Sequence, residues 1–333
     1  MRVSRFSLVA FLLMSLPATA DTAMRSNIPN LAYARAVSTV FGFCLGQEVS
    51  IRALKNGNED LHYLAAGHVL GFHAASGFVC KTAEKELREI LPPQQYQADL
   101  EKIIEMLPLS ETDILPRDKA EGFVADLETR ADIKNLLPIY RSPMLYVRYA
   151  GMPDREFADG FVTDYNIKSE PKALGLDLQL TLPMSWYAEP GDRPHIVQRW
   201  KNVAPEGFNM ILVIVQNLGE DIVEAEIDWL VEGQRGDELA PSPSWQVTEI
   251  AKTYIETIPT IAYETRGSQE RAGIELFLAA HSYLLTYNGI AISLQCQSGD
   301  EVSKVASVEE RFKRIQFLCQ QVANSMVLMD RYR

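Results

Sequence analysis

A chain of 333 residues that is 47% apolar has enough material for one large core or two ordinary ones. Its 44 acidic against 32 basic side chains give a net charge of −12. That balance argues against phosphate backbones and anionic lipid surfaces as partners, because Lys and Arg supply most of the attraction there.

Met1 to Ala20 reads as a secretory signal, with Arg2 and Arg5 in a positive n-region, Phe6 to Leu16 as the apolar h-region and Ala18-Thr19-Ala20 as a small-residue cleavage site. A membrane anchor is the alternative, but so short an apolar run falls short of the roughly 30 Å hydrocarbon core. Cleavage near Ala20 implies an exported chain, periplasmic or extracellular, with no membrane span in its mature part. All four Cys lie beyond this segment, and an oxidising compartment makes disulfides the expected state.

From Asn27 to Pro138 the pattern is helical. Asn30 precedes a helix carrying Val37, Phe41, Cys44, Leu45 and Leu54, and Asn58 one carrying Leu61, Leu64, Ala65, His68 and Phe72. Further helices are expected over Lys81 to Leu91, around Tyr96 to Leu107 and from Asp118 to Leu137. A symmetric hairpin about Asn56-Gly57 would leave Cys80 on the order of 15 Å from Cys44 along the axis. A Cys44–Cys80 bridge therefore requires the second helix to end near Gly77 and the chain to fold back; two buried free thiols are the alternative.

The composition changes near Leu137. Ile139 to Ala150 is rich in aromatic and β-branched residues, and Leu174, Leu176, Leu178, Leu180 and Leu182 alternate with polar residues or Gly, as in a half-buried strand. HIVQRW and NMILVIVQNL read as two more strands, the second central, and Trp245 to Glu256 as a helix ending before Pro259. From Ile274 to Ser298 two apolar runs meet at Asn288-Gly289, a type I′ hairpin turn. If Tyr287 pairs with Ile290, then Leu285 faces Ile292, Tyr283 faces Leu294 and His281 faces Cys296. Phe312, Ile315, Cys319 and Val322 recur at helical spacing and would cover that face, joining Cys296 to Cys319, before SMVLM returns as a strand to the same sheet. The fold class is α+β: an all-helical region over 21–137, then an antiparallel sheet flanked by helices over 138–333.

The order LQLTLPMSWYAE, HIVQRW, NMILVIV, helix, the hairpin on Tyr283, Tyr287, Asn288 and Gly289, and FKRIQFLCQQVANSMVL resembles the PsbP-like superfamily. That group includes the extrinsic photosystem II proteins and a nuclear-import factor that binds the Ran GTPase. The resemblance covers Leu174 to Met329 and is carried by the strand running into Pro183-x-x-Trp186, by the hairpin and by the terminal helix ending at Asn324-Ser325. It implies a curved antiparallel sheet used mostly for protein contacts and usually without catalysis, and it carries over no catalytic motif.

Within the chain GxSxG, HExxH, a Walker loop, GxGxxG, an EF-hand loop and CxxC are all missing. His62, His68 and His73 are spaced six and five apart, which does not set them on one helix face as metal ligands. His281 beside Cys296 could make a nucleophilic pair, but a disulfide accounts for Cys296 better. Glu309-Glu310 and Glu101 with Glu105 read as solvated helix faces. The loop from Ala188 to His195 concentrates Glu189, Asp192, Arg193 and His195 around Pro190-Gly191 and Pro194, and rigidly supported loops often carry function; a polar connection is the plainer reading. Three functions stay open: a non-catalytic protein binding a partner in the cell envelope, with no cofactor and no nucleic acid; a small-molecule or lipid carrier, which needs an apolar cavity above about 300 Å³; and a hydrolase without a familiar motif.

Overall fold

The computed structural model describes residues 31–333 apart from 108–109, 111, 203–204, 234–235, 241–243 and 272. The expected signal at Met1 to Ala20 lies outside the described residues. The chain divides into two compact units, the first ending at Arg148 and the second starting at Tyr149.

The first unit contains α1 (Leu31–Lys55), α2 (Glu59–Ala75), α3 (Val79–Ile90), α4 (Pro93–Met106) and α5 (Arg117–Arg130), and α6 (Pro138–Tyr149) runs to its end. Asn58 precedes α2 but does not cap it; its amide Nδ2 donates to the Leu115 carbonyl at 2.9 Å instead. Gly77 and Phe78 both adopt positive φ, +64° and +58°, so the chain turns there and α3 leaves α2 at 70°. This is the turn that a Cys44–Cys80 bridge requires, and the two cysteines form a disulfide with their Cα atoms 5.8 Å apart. The core between α1, α2 and α5 is built from small and aliphatic residues, including Ala53, Leu54, Ala65, Ala120, Val124 and Leu127.

Two segments here differ from their sequence patterns. The fifth helix stops at Arg130, followed by a 3-10 turn over Ile133–Asn135. The aromatic stretch after Leu137, strand-like by composition, is α6. Met144, Leu145, Tyr146 and Val147 are buried at four consecutive positions, and a short apolar run of that kind is not told from a buried strand by its composition.

The second unit starts with α7 (Pro153–Ala158), β1 (Val162–Asn166) and β2 (Leu178–Pro183). It continues through β3 (Tyr187–Pro190), β4 (Ile196–Lys201), β5 (Phe208–Asn217), α8 (Glu224–Glu232), β6 (Trp245–Ile255), β7 (Ile258–Arg271), β8 (Ile274–Tyr287) and β9 (Ile290–Glu301). It ends with α9 (Val305–Asn324) and β10 (Val327–Leu328). A seven-stranded antiparallel sheet has the order β3-β4-β5-β9-β8-β7-β6, and a three-stranded one the order β1-β2-β10.

Asn288 and Gly289 sit at φ +53° and +74°, and the Asp221 carboxylate accepts from both of their amides, at 3.2 and 2.8 Å. That turn sets the register: Tyr287 opposes Ile290, Leu285 opposes Ile292, Tyr283 opposes Leu294 and His281 opposes Cys296. α9 lays Phe312, Ile315, Cys319 and Val322, all fully buried, over that face, where each large apolar side chain contributes about 1.5–3 kcal/mol. Cys296 and Cys319 are bonded, with Cα atoms 5.8 Å apart.

Three expectations are corrected. Trp245 to Ile255 is strand β6, paired with β7, where a helix was expected. The alternation from Leu174 becomes a strand only at Leu178, because Leu174 and Gly175 turn through positive φ. The terminal strand β10 pairs with β2, outside the sheet of the hairpin.

Candidate functional site

On the face turned away from α9, the β3–β4 edge of the large sheet carries a charged corner. β3 is an edge strand paired to β4, with Tyr187 opposite Lys201 and Glu189 opposite Arg199. The next strand sets Met210 opposite Lys201 and Leu212 opposite Arg199, so the two cations lie against an apolar strip.

Glu189 is the hub. Its Oε2 receives Lys201 Nζ at 2.6 Å and Arg199 Nε at 3.0 Å, and Arg199 Nη1 reaches Asp192 Oδ2 at 3.2 Å. The Lys201 hydrogen bond outweighs partial burial and holds the Glu189 carboxyl below the usual carboxylate range. Partial burial, aided by the Glu189 charge, raises the Tyr187 phenol.

Backbone contacts hold the connection from β3 to β4 in place. Lys172 Nζ donates to the carbonyls of Gly191 and Arg193, at 2.6 and 2.8 Å. Ile196 N donates to the Arg193 carbonyl at 3.2 Å, and Val215 N to that of His195 at 2.9 Å. Gly191 is required by close approach, because a Cβ there would lie 2.0 Å from the Ile196 carbonyl oxygen. The side chains of Asp192, Arg193, Pro194 and His195 are exposed on this pinned frame.

The sequence treats Ala188 to His195 as one loop, whereas Ala188, Glu189 and Pro190 belong to β3. Glu189 and Asp192 share a network with Arg199; Arg193 and His195 stand beside it. Tyr187, Lys201, Arg199 and Lys172 escape sequence reasoning. Only strand register shows that Tyr187 and Lys201 face one another, and nothing local marks Lys172 as a ligand of a loop some twenty residues on.

The other titratable clusters are structural in geometry. His281 lies opposite Cys296, but the sulfur is in the disulfide, so there is no thiol for the imidazole to activate. His281 Nδ1 is 3.4 Å from Glu264 Oε1, and Glu264 also receives Arg266 at 2.9 Å and Gln316 Nε2. Burial favours the neutral acid, but the bonds from His281 and Arg266 prevail and lower its pKa. Glu156 of α7 is buried and accepts from Ser185 N at 2.7 Å and Ser185 Oγ at 2.6 Å; burial pushes its carboxyl up to about 7. Among the described residues no group of three or more His, Cys, Asp or Glu is placed to hold a metal ion. A groove of about 450 Å³ is lined by Gly151, Met152, Asp154, Lys313, Arg314 and Phe317. Met152 and Phe317 are exposed in it, so it is a surface feature and not an apolar cavity between sheet and helices.

No protein-family model matches the chain, and no curated protein is significantly similar to it in sequence. The fold of the second unit, an antiparallel sheet with helices against it, is the α+β class, and solved structures of PsbP-like fold resemble about half of the chain, its C-terminal region. LpqN, involved in cell envelope biogenesis of Mycobacterium tuberculosis, is 13% identical with a TM-score of 0.31, over 51% of this chain and 92% of its own. Cyanobacterial PsbP from Synechocystis is 11% identical with a TM-score of 0.29, over 50% and 92%. The Ran-binding protein Mog1p of Saccharomyces cerevisiae is 9% identical with a TM-score of 0.35, over 50% and 95%.

Proposed function

We propose that this is an exported, non-catalytic protein that binds another protein of the cell envelope through the β3–β4 corner of its sheet unit. The observation that carries this reading is the pinned connection after β3. Its backbone is held by Lys172 and by the β4 and β5 amides, while Arg193 and His195 stay exposed on it. A preformed loop loses little entropy on docking, and Arg is among the residue types that dominate binding hot spots. Glu189 and Asp192 support the loop through Arg199 and Lys201, so their part is to set its shape and local charge.

The test starts with capture of partners from the native cell envelope by the mature protein. Arg193→Ala is then compared with the parent by calorimetry against the captured protein. Affinity should fall at least tenfold, with the melting temperature unchanged because the side chain is exposed. Unchanged affinity for both Arg193→Ala and His195→Ala would place the binding surface elsewhere.

A further inference from the structure

The outer face of α2 is apolar and exposed. From Leu61 to Cys80 the chain contains no Asp, Glu, Lys or Arg, yet α2 buries only Leu61, Ala65 and Phe72. At about 100° per residue those three share one side of the helix, and Tyr63, Gly67, Leu70 and Ala74 lie on the opposite one. Tyr63 is 68% and Leu70 66% exposed, and a Cβ added at Gly67 or Gly71 would meet nothing within 4 Å. Steps of four, three and four residues are those of a helix-pairing seam, and in this one large and small residues alternate. A contiguous exposed apolar surface of this kind marks an interaction site.

We infer that this face pairs with its own copy on a second chain, α2 against α2 in antiparallel order about a two-fold axis. With the axis between His68 and Val69, Tyr63 of one chain falls opposite Ala74 of the other, and Leu70 opposite Gly67. Every large side chain meets a small one, so the surface is complementary to itself, as a two-fold contact requires. Parallel order would set Tyr63 on Tyr63 and Gly67 on Gly67, with a clash at one level and a gap at the next.

Charge points the same way. Antiparallel order brings Glu59, in the first turn of α2, toward the Lys81 end of the other copy, while Asp60 is already paired with Arg117 of its own chain at 2.7 Å. Between these ends the seam adds no charge to chains that each carry −12 and repel over most of their surface. A lipid surface fits less well. Helices that lie on membranes present Lys and Arg beside bulky apolar side chains, whereas Ala66, Gly67 and Gly71 occupy much of this face.

The full chain with both disulfides formed is examined by sedimentation over a concentration series. Twice the mass of one chain is expected at high concentration, falling to a single mass in Gly67→Leu and in Leu70→Glu, both with unchanged helical circular dichroism. Gly67→Leu has room in the single chain, so loss of the dimer there reports a filled hole and not a damaged fold. Gly67→Cys mixed with Leu70→Cys should give a covalent dimer on oxidation in large excess over either variant alone. A single mass at every concentration, a dimer indifferent to both substitutions, or equal cross-linking by either cysteine variant alone would each overturn the inference. So would sedimentation of a monomer with phosphatidylcholine vesicles that Leu70→Glu abolishes, since that would assign the face to lipid.

Discussion

Each unit carries one disulfide, and the two bridges differ in what holds their cysteines before the bond forms. In the sheet unit Cys296 is fixed by the β8–β9 ladder and Cys319 by α9, and both are fully buried among Phe312, Ile315 and Leu294. In the helical unit Cys44 lies within α1 and Cys80 in the first turn of α3, both half-buried. They meet because the chain turns at Gly77 and Phe78, between helices that also bury Val37, Val40, Val79 and Ala83. One bridge is sealed inside a core; the other is partly open to solvent. Under mild reductant Cys44–Cys80 should therefore open first, since exchange needs access to the sulfur.

The comparison breaks most visibly if the sheet unit cannot stand alone. Residues 149–333 expressed by themselves should unfold in one cooperative transition, because they contain the large core from Ile167 to Leu328. A broad, non-cooperative melt would show that the helices complete that core. Within the full chain, Phe312→Ala removes a fully buried ring beneath the sheet and should cost about 3–5 kcal/mol in urea unfolding. The loss should be confined to the sheet unit's transition.

Removing the bridges separately sharpens the contrast. Replacing Cys44 and Cys80 by Ser should cost about 3–4 kcal/mol through loop entropy and lower the helical unit's melting transition, whereas the same change at Cys296 and Cys319 should lower the other. A single shared transition in both variants would mean that the units do not unfold separately.

Glu156 gives a smaller, pH-dependent effect confined to the sheet unit. Its carboxyl is held at about 7 by burial, against an ordinary 4.5. Between those values the folded state keeps a proton that the unfolded state has lost, so stability falls as pH rises through that window, by about 3 kcal/mol in all. Glu156→Gln should flatten the pH profile of that unit's melting temperature while leaving that of the helical unit unchanged.

The hairpin and α9 are legible because one local device fixes each. Asn288-Gly289 dictates both turn and register, and Phe312, Ile315, Cys319 and Val322 keep a clean helical period. β6 reads as a helix for an identifiable reason: a register shift between Val247 and Glu249 breaks the two-residue alternation and leaves Val247, Ile250 and Ala251 at helical spacing. Of the β3–β4 corner, the sequence marks Glu189, Asp192, Arg193 and His195 by their crowding around prolines. It hides the contacts to Arg199, Lys201 and Lys172, which exist only once strands are paired.

The strand order has a kinetic consequence. β3 to β5 and β6 to β9 are two runs of neighbouring strands that need only short turns or modest loops to close. They are joined at a single seam, β5 against β9, which pairs Asn217 with Ile290 and Phe208 with Gly299. Closing a loop of that length is slow, and nothing rewards it until the ladder has formed. The two halves should assemble first and the seam last. Until then β5, with its unbroken apolar run from Met210 to Val215, offers an unpaired edge, and that interval is when a newly made chain is most exposed to pairing with the wrong molecule.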